Sequence, residues 1–255
     1  MRRFISGDCV VDISPTLFDQ RCCYKEETSN KGVISCGIAR RTITQLIRRE
    51  ESFLKVNQLL LDTCHSSKNP CVKGFLAEEA IIDALQTNGV YLPINGQPTS
   101  FIPTSWHLFN NGTEASILKD VVSLLKAKNL QCAILQPHAW NYAAIDMMLV
   151  HLNANSNMLT LVPTQITIST IDSHSTSIKK FFQSAEPTWL TSGFDYEINW
   201  VYLWVVPKHQ ITASTTETIT IQTRTRSKQC KILKYTQYTT SFGYIEPRLS
   251  FLDDG

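Results

Sequence analysis

The sequence predicts an α/β protein in which helices flank a mixed central β-sheet. Three features indicate this class: apolar residues at helical spacing in the first half, four apolar strands in the second half, and a helical segment between the third strand and the fourth. Short connections favour antiparallel pairing of the first three strands, and the intervening helix favours a parallel crossover to the fourth. The expected architecture is a sandwich of helices around one sheet.

The composition is typical of a globular protein with a substantial core. Of its 255 residues, 43% are hydrophobic and 18% are charged, which suits one large domain or a small domain attached to a medium one. Because the net charge is only +2, any nucleic-acid binding must come from local basic patches. The eight cysteines form no CxxC pair and the six histidines do not cluster with them. We therefore expect reduced thiols and no zinc, and we expect no organic cofactor.

The first half of the chain carries three predicted helices. Apolar residues recur at helical spacing over residues 38–61, and "HSSKNP" ends that run. A second helix is predicted over "CVKGFLAEEAIIDAL" and a third over "EASILKDVVSLLKAK", which Thr113 opens. Between these two, the turn-rich "TNGVYLPINGQPTSFIPTSW" predicts a loop with a short hairpin.

The second half supplies the strands. They are predicted in "QCAILQP", "AAIDMMLVHL", "MLTLVPTQITIS" and "INWVYLWVVP", and "HSTSIKKFFQSA" has the pattern of a helix capped by Asp172, Ser173 or Ser175. The Thr-rich end of the chain predicts an extra hairpin or a tail. We therefore expect a helical N-terminal extension, an α/β core and a basic β extension, over residues 1–69, 70–210 and 211–255.

Acidic residues interrupt two of the apolar segments. Periodicity places Glu78 on the inward side of the second helix, and Glu79 and Asp83 along a more exposed edge. Asp146 lies within a predicted apolar strand. An inward carboxylate is costly unless it meets a hydrogen-bond donor or a metal, so both positions are candidates for a site.

The strand "PTQITIS" adds polar side chains beside Asp146. Gln165 and Thr167 share one face of this strand, because side chains alternate between faces. Carboxylate and amide oxygens suit Mg²⁺, and a metal so held activates water and stabilises the transition state of a phosphodiester. A structural interpretation also stays open, in which Asp146 bonds only the backbone and Thr167 is an ordinary strand residue.

Four motifs in order carry a resemblance to a known group of proteins. They are the "NYAAID" of Asn141 to Asp146, Gln165 with Thr167, His174, and Val206 with Pro207. Over about residues 70–210 the chain resembles the PD-(D/E)XK nucleases, and more specifically the nuclease-type domain of Crinkler effectors and of trypanosome retrotransposon hot spot proteins. The resemblance implies a restriction-endonuclease-like fold.

The resemblance also implies a metal site. Glu78 and Asp146 stand at the positions of metal-linked acids, and Gln165 stands where the usual second acid would be. The metal ligands implied are therefore Glu78, Asp146 and Gln165, around Mg²⁺ or Mn²⁺. The choice between Glu78 and the adjacent Glu79 stays open.

One position departs from the family pattern. Thr167 occupies the place of the usual lysine, and a hydroxyl cannot supply the charge that stabilises the transition state. Lys179 or Lys180 on the following helix is a candidate for a migrated lysine, and His174 is a further catalytic candidate. Two functions follow from the resemblance: a Mg²⁺-dependent endonuclease acting on DNA, as an effector or mobile-element domain, or an inactive module that binds nucleic acid or host nuclear proteins.

A basic segment near the C-terminus supplies candidate phosphate contacts. Its cationic residues are Arg224, Arg226, Lys228 and Lys231. Arg224 and Arg226 fall on one face if this segment is a strand, and the charges equally suit a solvated edge strand.

The N-terminus gives no export signal. "MRRFISGDCVVDIS" lacks the apolar run of a signal peptide, and no window reaches the roughly 18 apolar residues that span a bilayer. We expect a soluble protein with no membrane partner. A location in the nucleus, or in the nucleus or cytoplasm of a host cell, is implied by the resemblance alone.

Overall fold

The protein is described here from a computed structural model. The structure describes residues 23–25, 32–34, 58, 61, 62, 64, 65, 70–94, 97–110, 112–137, 142, 145–171, 175–190, 195–222 and 230–254. The chain divides into two compact units, residues 1–80 and 81–255. The first unit contains an antiparallel pair of short strands, β1 (Cys23–Lys25) and β2 (Gly32–Ile34). The helix predicted over 38–61 lies almost entirely outside the described residues.

Four α-helices and two short 3₁₀ helices are described from end to end, and residues 58, 61, 62, 64 and 65 are also helical. The α-helices are α1 (Pro70–Asn88), α2 (Glu114–Ala127), α3 (Ser175–Trp189) and α4 (Phe242–Ile245). The 3₁₀ helices are Lys208–Gln210 and Pro247–Leu252. In the part of the chain that is described, no helix combines the length and the apolar character needed to cross a membrane.

Among the described residues, nine strands belong to the second unit. A separate hairpin pairs β3 (Val90–Ile94) with β4 (Gln97–Phe101), as the turn-rich segment predicts. The main sheet is built from β5 (Trp106–Phe109), β6 (Cys132–Pro137), β7 (Met147–Asn153), β8 (Met158–Ile166), β9 (Glu197–Val206), β10 (Thr215–Gln222) and β11 (Cys230–Ser241).

The main sheet has seven strands in the order β10-β11-β9-β8-β7-β6-β5. Strand β7 is antiparallel to both of its neighbours, β10 is antiparallel to β11, and the remaining pairs are parallel. Hence β6, β8, β9 and β11 all finish at one end of the sheet, where β7 begins; we call this the carboxyl end of the sheet. The predicted α/β class, with a mixed sheet flanked by helices, is confirmed.

The β7–β8 hairpin shows how local sequence sets this topology. The Asn153 side chain accepts hydrogen bonds from the backbone N–H groups of Asn155, at 3.1 Å, and Ser156, at 3.3 Å. Asn157 then adopts a positive φ of 50°, a conformation that asparagine tolerates better than most residues. The segment "NANSN" thus closes the hairpin tightly and keeps β8 antiparallel to β7.

Helices α2 and α3 cover one face of the sheet. Helix α2 packs on β6 and β7, and α3 packs on an aromatic layer from β9 and β11; for example, the Phe182 and Tyr235 rings stack with centroids 4.4 Å apart. Phe182 also meets Trp200 edge to face at 5.6 Å. The opposite face of the sheet is closed as well, since Leu149 and Leu203 are fully buried. Both faces of the central strands are therefore apolar, which makes their polar residues conspicuous.

The predicted sides of α1 are wrong. Glu79 and Asp83 were expected along an exposed edge, yet each is only 1% exposed, whereas Glu78 is half-buried. All residues of α1 from 76 to 85 except Glu78 are buried. A helix buried on almost every side has no single inward stripe, so periodicity cannot select the inward acid.

The C-terminal strands join the main sheet. The predicted extra hairpin is present as β10 and β11, and β11 also pairs with β9 in parallel. Strand β5 was not predicted, because its four residues are too few to show a pattern. It gains its regular conformation by pairing in parallel with β6.

Candidate functional site

The carboxyl end of the sheet brings Asp146 beside Gln165. Met147 pairs with Thr164 across the β7–β8 hairpin, which places the preceding Asp146 next to the following Gln165. The Asp146 backbone N–H donates to the Thr164 carbonyl at 2.9 Å. The two polar residues therefore lie side by side, on the face of the sheet that α2 and α3 cover.

The Asp146 side chain is bonded to the neighbouring strand. Its Oδ2 accepts a hydrogen bond of 2.6 Å from the backbone N–H of Ile166. With the Thr164 contact, Asp146 makes one bond through its backbone and one through its carboxylate to the end of β8. The carboxylate thus takes the place of a backbone carbonyl at the point where the β7–β8 ladder ends.

Gln165 accepts a hydrogen bond from a buried tyrosine on β9. The Tyr202 hydroxyl donates to Gln165 Oε1 at 3.3 Å, and Gln165 is 9% exposed. Burial, and secondarily the negative charge of Asp146, hold the pKa of Tyr202 well above its usual value. Tyr202 therefore stays protonated and donates. We call Asp146, Gln165 and Tyr202 the polar cluster.

Thr167 also serves the local structure. Its backbone N–H donates to the Val205 carbonyl at 3.0 Å, which continues the β8–β9 pairing past the end of β8. Its hydroxyl oxygen accepts from the Ser169 N–H at 3.0 Å. Gln210 completes the turn: its Oε1 accepts from Ile171 N–H at 2.9 Å and its Nε2 donates to the Ser169 carbonyl at 3.2 Å.

One of the two candidate lysines, Lys179, lines a surface groove. Lys179 and Lys180 are both exposed near the start of α3. Lys179 lines an open groove of about 570 Å³ together with Trp204 and Glu217. Residues of β10 and β11, including the acidic Glu217, line the same groove.

The other predicted site residues divide into those that the structure describes and those that it does not. Glu78 lies on α1 within the first compact unit, and the polar cluster lies in the second. Lys231 lies on β11, where it pairs with Ile221. The remaining predicted residues fall outside the described residues: His174, Arg224, Arg226 and Lys228.

Glu114 is an acid that the sequence analysis missed. It is the first residue of α2, is 3% exposed, and accepts a hydrogen bond of 3.1 Å from the Tyr142 hydroxyl. Strand β5 is parallel to β6 and finishes at the carboxyl end of the sheet, at Phe109. Glu114 therefore follows that end in the chain. An acid in the first turn of a helix is common, since it complements the helix dipole, so the sequence offers no signal that Glu114 is buried.

The polar cluster brings one carboxylate and one amide together as oxygen donors. Mg²⁺ takes oxygen ligands; Asp146 Oδ2 and Gln165 Oε1 also accept hydrogen bonds from Ile166 and Tyr202, as metal-binding carboxylates commonly do. Among the described residues, no group of three or more His, Cys, Asp or Glu side chains is arranged to hold a metal ion. We therefore assign no chemical step to a metal at this cluster.

Comparisons with known proteins do not identify a family. No family model, curated protein or solved structure matches this chain. The resemblance to the nuclease-type domains therefore rests on the four sequence motifs, and the function is inferred from the geometry of the site.

Proposed function

We propose that this chain is a restriction-endonuclease-like module of the Crinkler and retrotransposon hot spot type, and that it binds nucleic acid without cleaving it. The observation that carries the proposal is the 2.6 Å hydrogen bond from the Ile166 N–H to Asp146 Oδ2. The acid that a nuclease would use for metal binding here holds two strands together. Gln165 and Thr167 have local partners as well.

The order of the elements supports the nuclease-type fold. Helix α2 precedes the meander of β6, β7 and β8, helix α3 follows it, and β9 returns parallel to β8. The resemblance itself rests on the order of Glu78 on α1, Asp146 before β7, and Gln165 with Thr167 at the end of β8, followed by α3. The resemblance puts a lysine where Thr167 stands, and a neutral hydroxyl does not stabilise developing negative charge as a lysine would.

The sequence between β10 and β11 supports nucleic-acid binding. The paired ends of this hairpin are Gln222 and Cys230, and the seven residues between them contain Arg224, Arg226 and Lys228 and no acid. Positive charges concentrated in a short segment attract phosphates through the release of counterions. The net charge of the chain is small, so this attraction is local.

The decisive experiment measures cleavage and binding on the same preparations. Supercoiled plasmid is incubated with the wild-type chain and with Asp146→Asn, in Mg²⁺ and in Mn²⁺, and binding is followed by gel retardation at several salt concentrations. We expect retardation that weakens with salt and no nicking by either protein. We also expect no thermal stabilisation by either metal, because a ligand raises stability only if it binds the folded state.

Two results would contradict the proposal in different ways. Metal-dependent nicking by wild type that disappears in folded Asp146→Asn would establish a Mg²⁺-dependent endonuclease instead. Absence of binding to any nucleic acid at low salt would leave a protein partner, such as a host nuclear protein, as the remaining function.

A further inference from the structure

Exposed apolar side chains collect in one groove on the second compact unit. Among the described residues, four large hydrophobic side chains are strongly exposed, and three of them line this groove: Tyr91 (57%), Ile211 (45%) and Tyr244 (61%). The fourth, Ile102, lies outside it. Apolar side chains gathered on a surface mark binding sites more often than scattered ones do.

The groove is polar between these side chains. It has a volume of about 520 Å³, and Tyr238, Lys208 and several Ser and Thr hydroxyls also line it. A second groove, of about 440 Å³, adjoins it and shares Ser214 and Tyr238. Lys234 and Asn199 line that second part. We call the two parts together the β11 groove.

No acidic side chain lines either part of the β11 groove among the described residues. Its charged side chains are Lys208 and Lys234. The groove beside α3 differs, because there Lys179 is accompanied by Glu217. The β11 groove therefore favours an anionic ligand, while the groove beside α3 has no such preference.

Hydrogen bonds hold the tyrosines of the β11 groove in place. The Tyr238 hydroxyl donates to the Pro93 carbonyl, which joins β11 to the hairpin that carries Tyr91. The backbone N–H of Tyr244 donates to Ser241 Oγ at 3.2 Å, which begins α4. The first contact fixes the Tyr238 ring, and both hold backbone segments that carry the groove's tyrosines, which lowers the entropic cost of binding.

Thr239 holds the segment that forms the other wall. Its hydroxyl oxygen accepts from the Thr212 N–H at 2.9 Å, and its O–H donates to the Thr212 carbonyl at 2.9 Å. Both walls of the groove are thus tied to β11. From Lys234 to Ser241 the strand runs about 23 Å, which is room for about four nucleotides, the lower end of single-strand site sizes.

We propose that the β11 groove binds single-stranded nucleic acid, with bases stacked on Tyr91 and Tyr244 and phosphates contacted by Lys208 and Lys234. Aromatic rings in a cationic groove without carboxylates suit this ligand, because any unpaired base can stack and each phosphate carries a negative charge. Paired bases in a duplex are stacked on one another and cannot enter. The inference rests on the proposed binding of nucleic acid. It adds that the β11 groove is a binding surface and that the preferred ligand is single-stranded.

The test uses fluorescence anisotropy with labelled single strands of about 12 nucleotides, oligo(dT) and oligo(U), and with a duplex of matching length. We expect tighter binding to a single strand than to the duplex. Tyr91→Ala and Tyr244→Ala should each weaken single-strand binding by about 10-fold or more. Tyr91→Phe keeps the stacking ring and should bind nearly as wild type does.

The lysines are tested through salt dependence. The double variant Lys208→Ala, Lys234→Ala should reduce the slope of log K against log salt by about 1.4, since each phosphate contact on a single strand contributes about 0.7. The matched controls are Ile102→Ala for the tyrosines and Lys119→Ala with Lys128→Ala for the lysines; all three residues are exposed and none lines the β11 groove. These controls should leave affinity and slope unchanged.

The outcomes separate this inference from the proposed function. If wild type binds neither single strands nor duplex, both fail. If it binds nucleic acid but prefers duplex, or if the tyrosine variants bind as tightly as wild type, the groove assignment fails and nucleic-acid binding stands. Preferential binding of either oligo(dT) or oligo(U) that the tyrosine variants lose supports the assignment.

Discussion

The polar cluster and the β11 groove use polar side chains in opposite ways. In the polar cluster, Asp146 and Gln165 are bonded to Ile166 and Tyr202 at the end of a buried ladder. In the β11 groove, lysines, hydroxyls and exposed tyrosines line an open surface. The cluster was conspicuous in the sequence because it interrupts apolar strands. The comparison shows that a polar residue within an apolar strand can serve the structure by completing a hydrogen bond. It also shows that a binding surface can form from segments whose sequences contain no motif.

The largest expected effect is on the stability contributed by the polar cluster. Asp146→Ala should lower the free energy of unfolding by about 2 kcal/mol, because it removes a hydrogen bond to a charged group and leaves the Ile166 N–H without this acceptor. Asp146→Asn keeps a carbonyl acceptor and should cost about half as much or less. Urea unfolding with an unchanged m-value measures both. Equal stability of Asp146→Ala and wild type would show that the carboxylate is not structural.

A smaller effect is expected at the second contact of the polar cluster. Tyr202→Phe removes the hydroxyl that donates to Gln165 and should cost about 1 kcal/mol, because the acceptor is buried. Tyr235→Phe is the matched control: that hydroxyl donates at 2.7 Å to Glu217, which is exposed and regains water when the donor is lost. Thermal unfolding of the two variants compares them directly. A larger loss for Tyr235→Phe would argue against a special role for the buried bond.

The smallest effect on stability is expected in the β11 groove. The double variant Tyr91→Ala, Tyr244→Ala should unfold within about 0.5 kcal/mol of wild type, because substitutions of exposed side chains rarely cost more. Urea unfolding measures this stability, and anisotropy measures single-strand binding on the same preparation. Strong destabilisation would show that these side chains support the fold, and the contrast between the two regions would then disappear.

Much of the architecture could be predicted from local sequence. Helices α2 and α3 follow from apolar residues at helical spacing, and β6 to β9 follow from apolar runs bounded by turn residues. The hairpin turn at Asn153 has a local cause, since its side chain bonds the next backbone amides. Strand β5 has too few residues for a pattern, and α1 has apolar residues on every side, so neither β5 nor the buried acids of α1 could be read from periodicity.

The sequence by itself determined the α/β class, the neighbouring positions of Asp146 and Gln165, and the basic character of the segment after β10. These features depend on spacing, turn chemistry and composition within short windows. The tertiary structure decided what the polar residues bond to. The end of the β7–β8 ladder needs an acceptor for the Ile166 amide, and only the pairing of the strands shows that Asp146 supplies it. The β11 groove could likewise not be predicted from the sequence. Tyr91 and Tyr244 lie far apart along the chain, and they line the same groove only in the folded protein, where β11 brings their segments together.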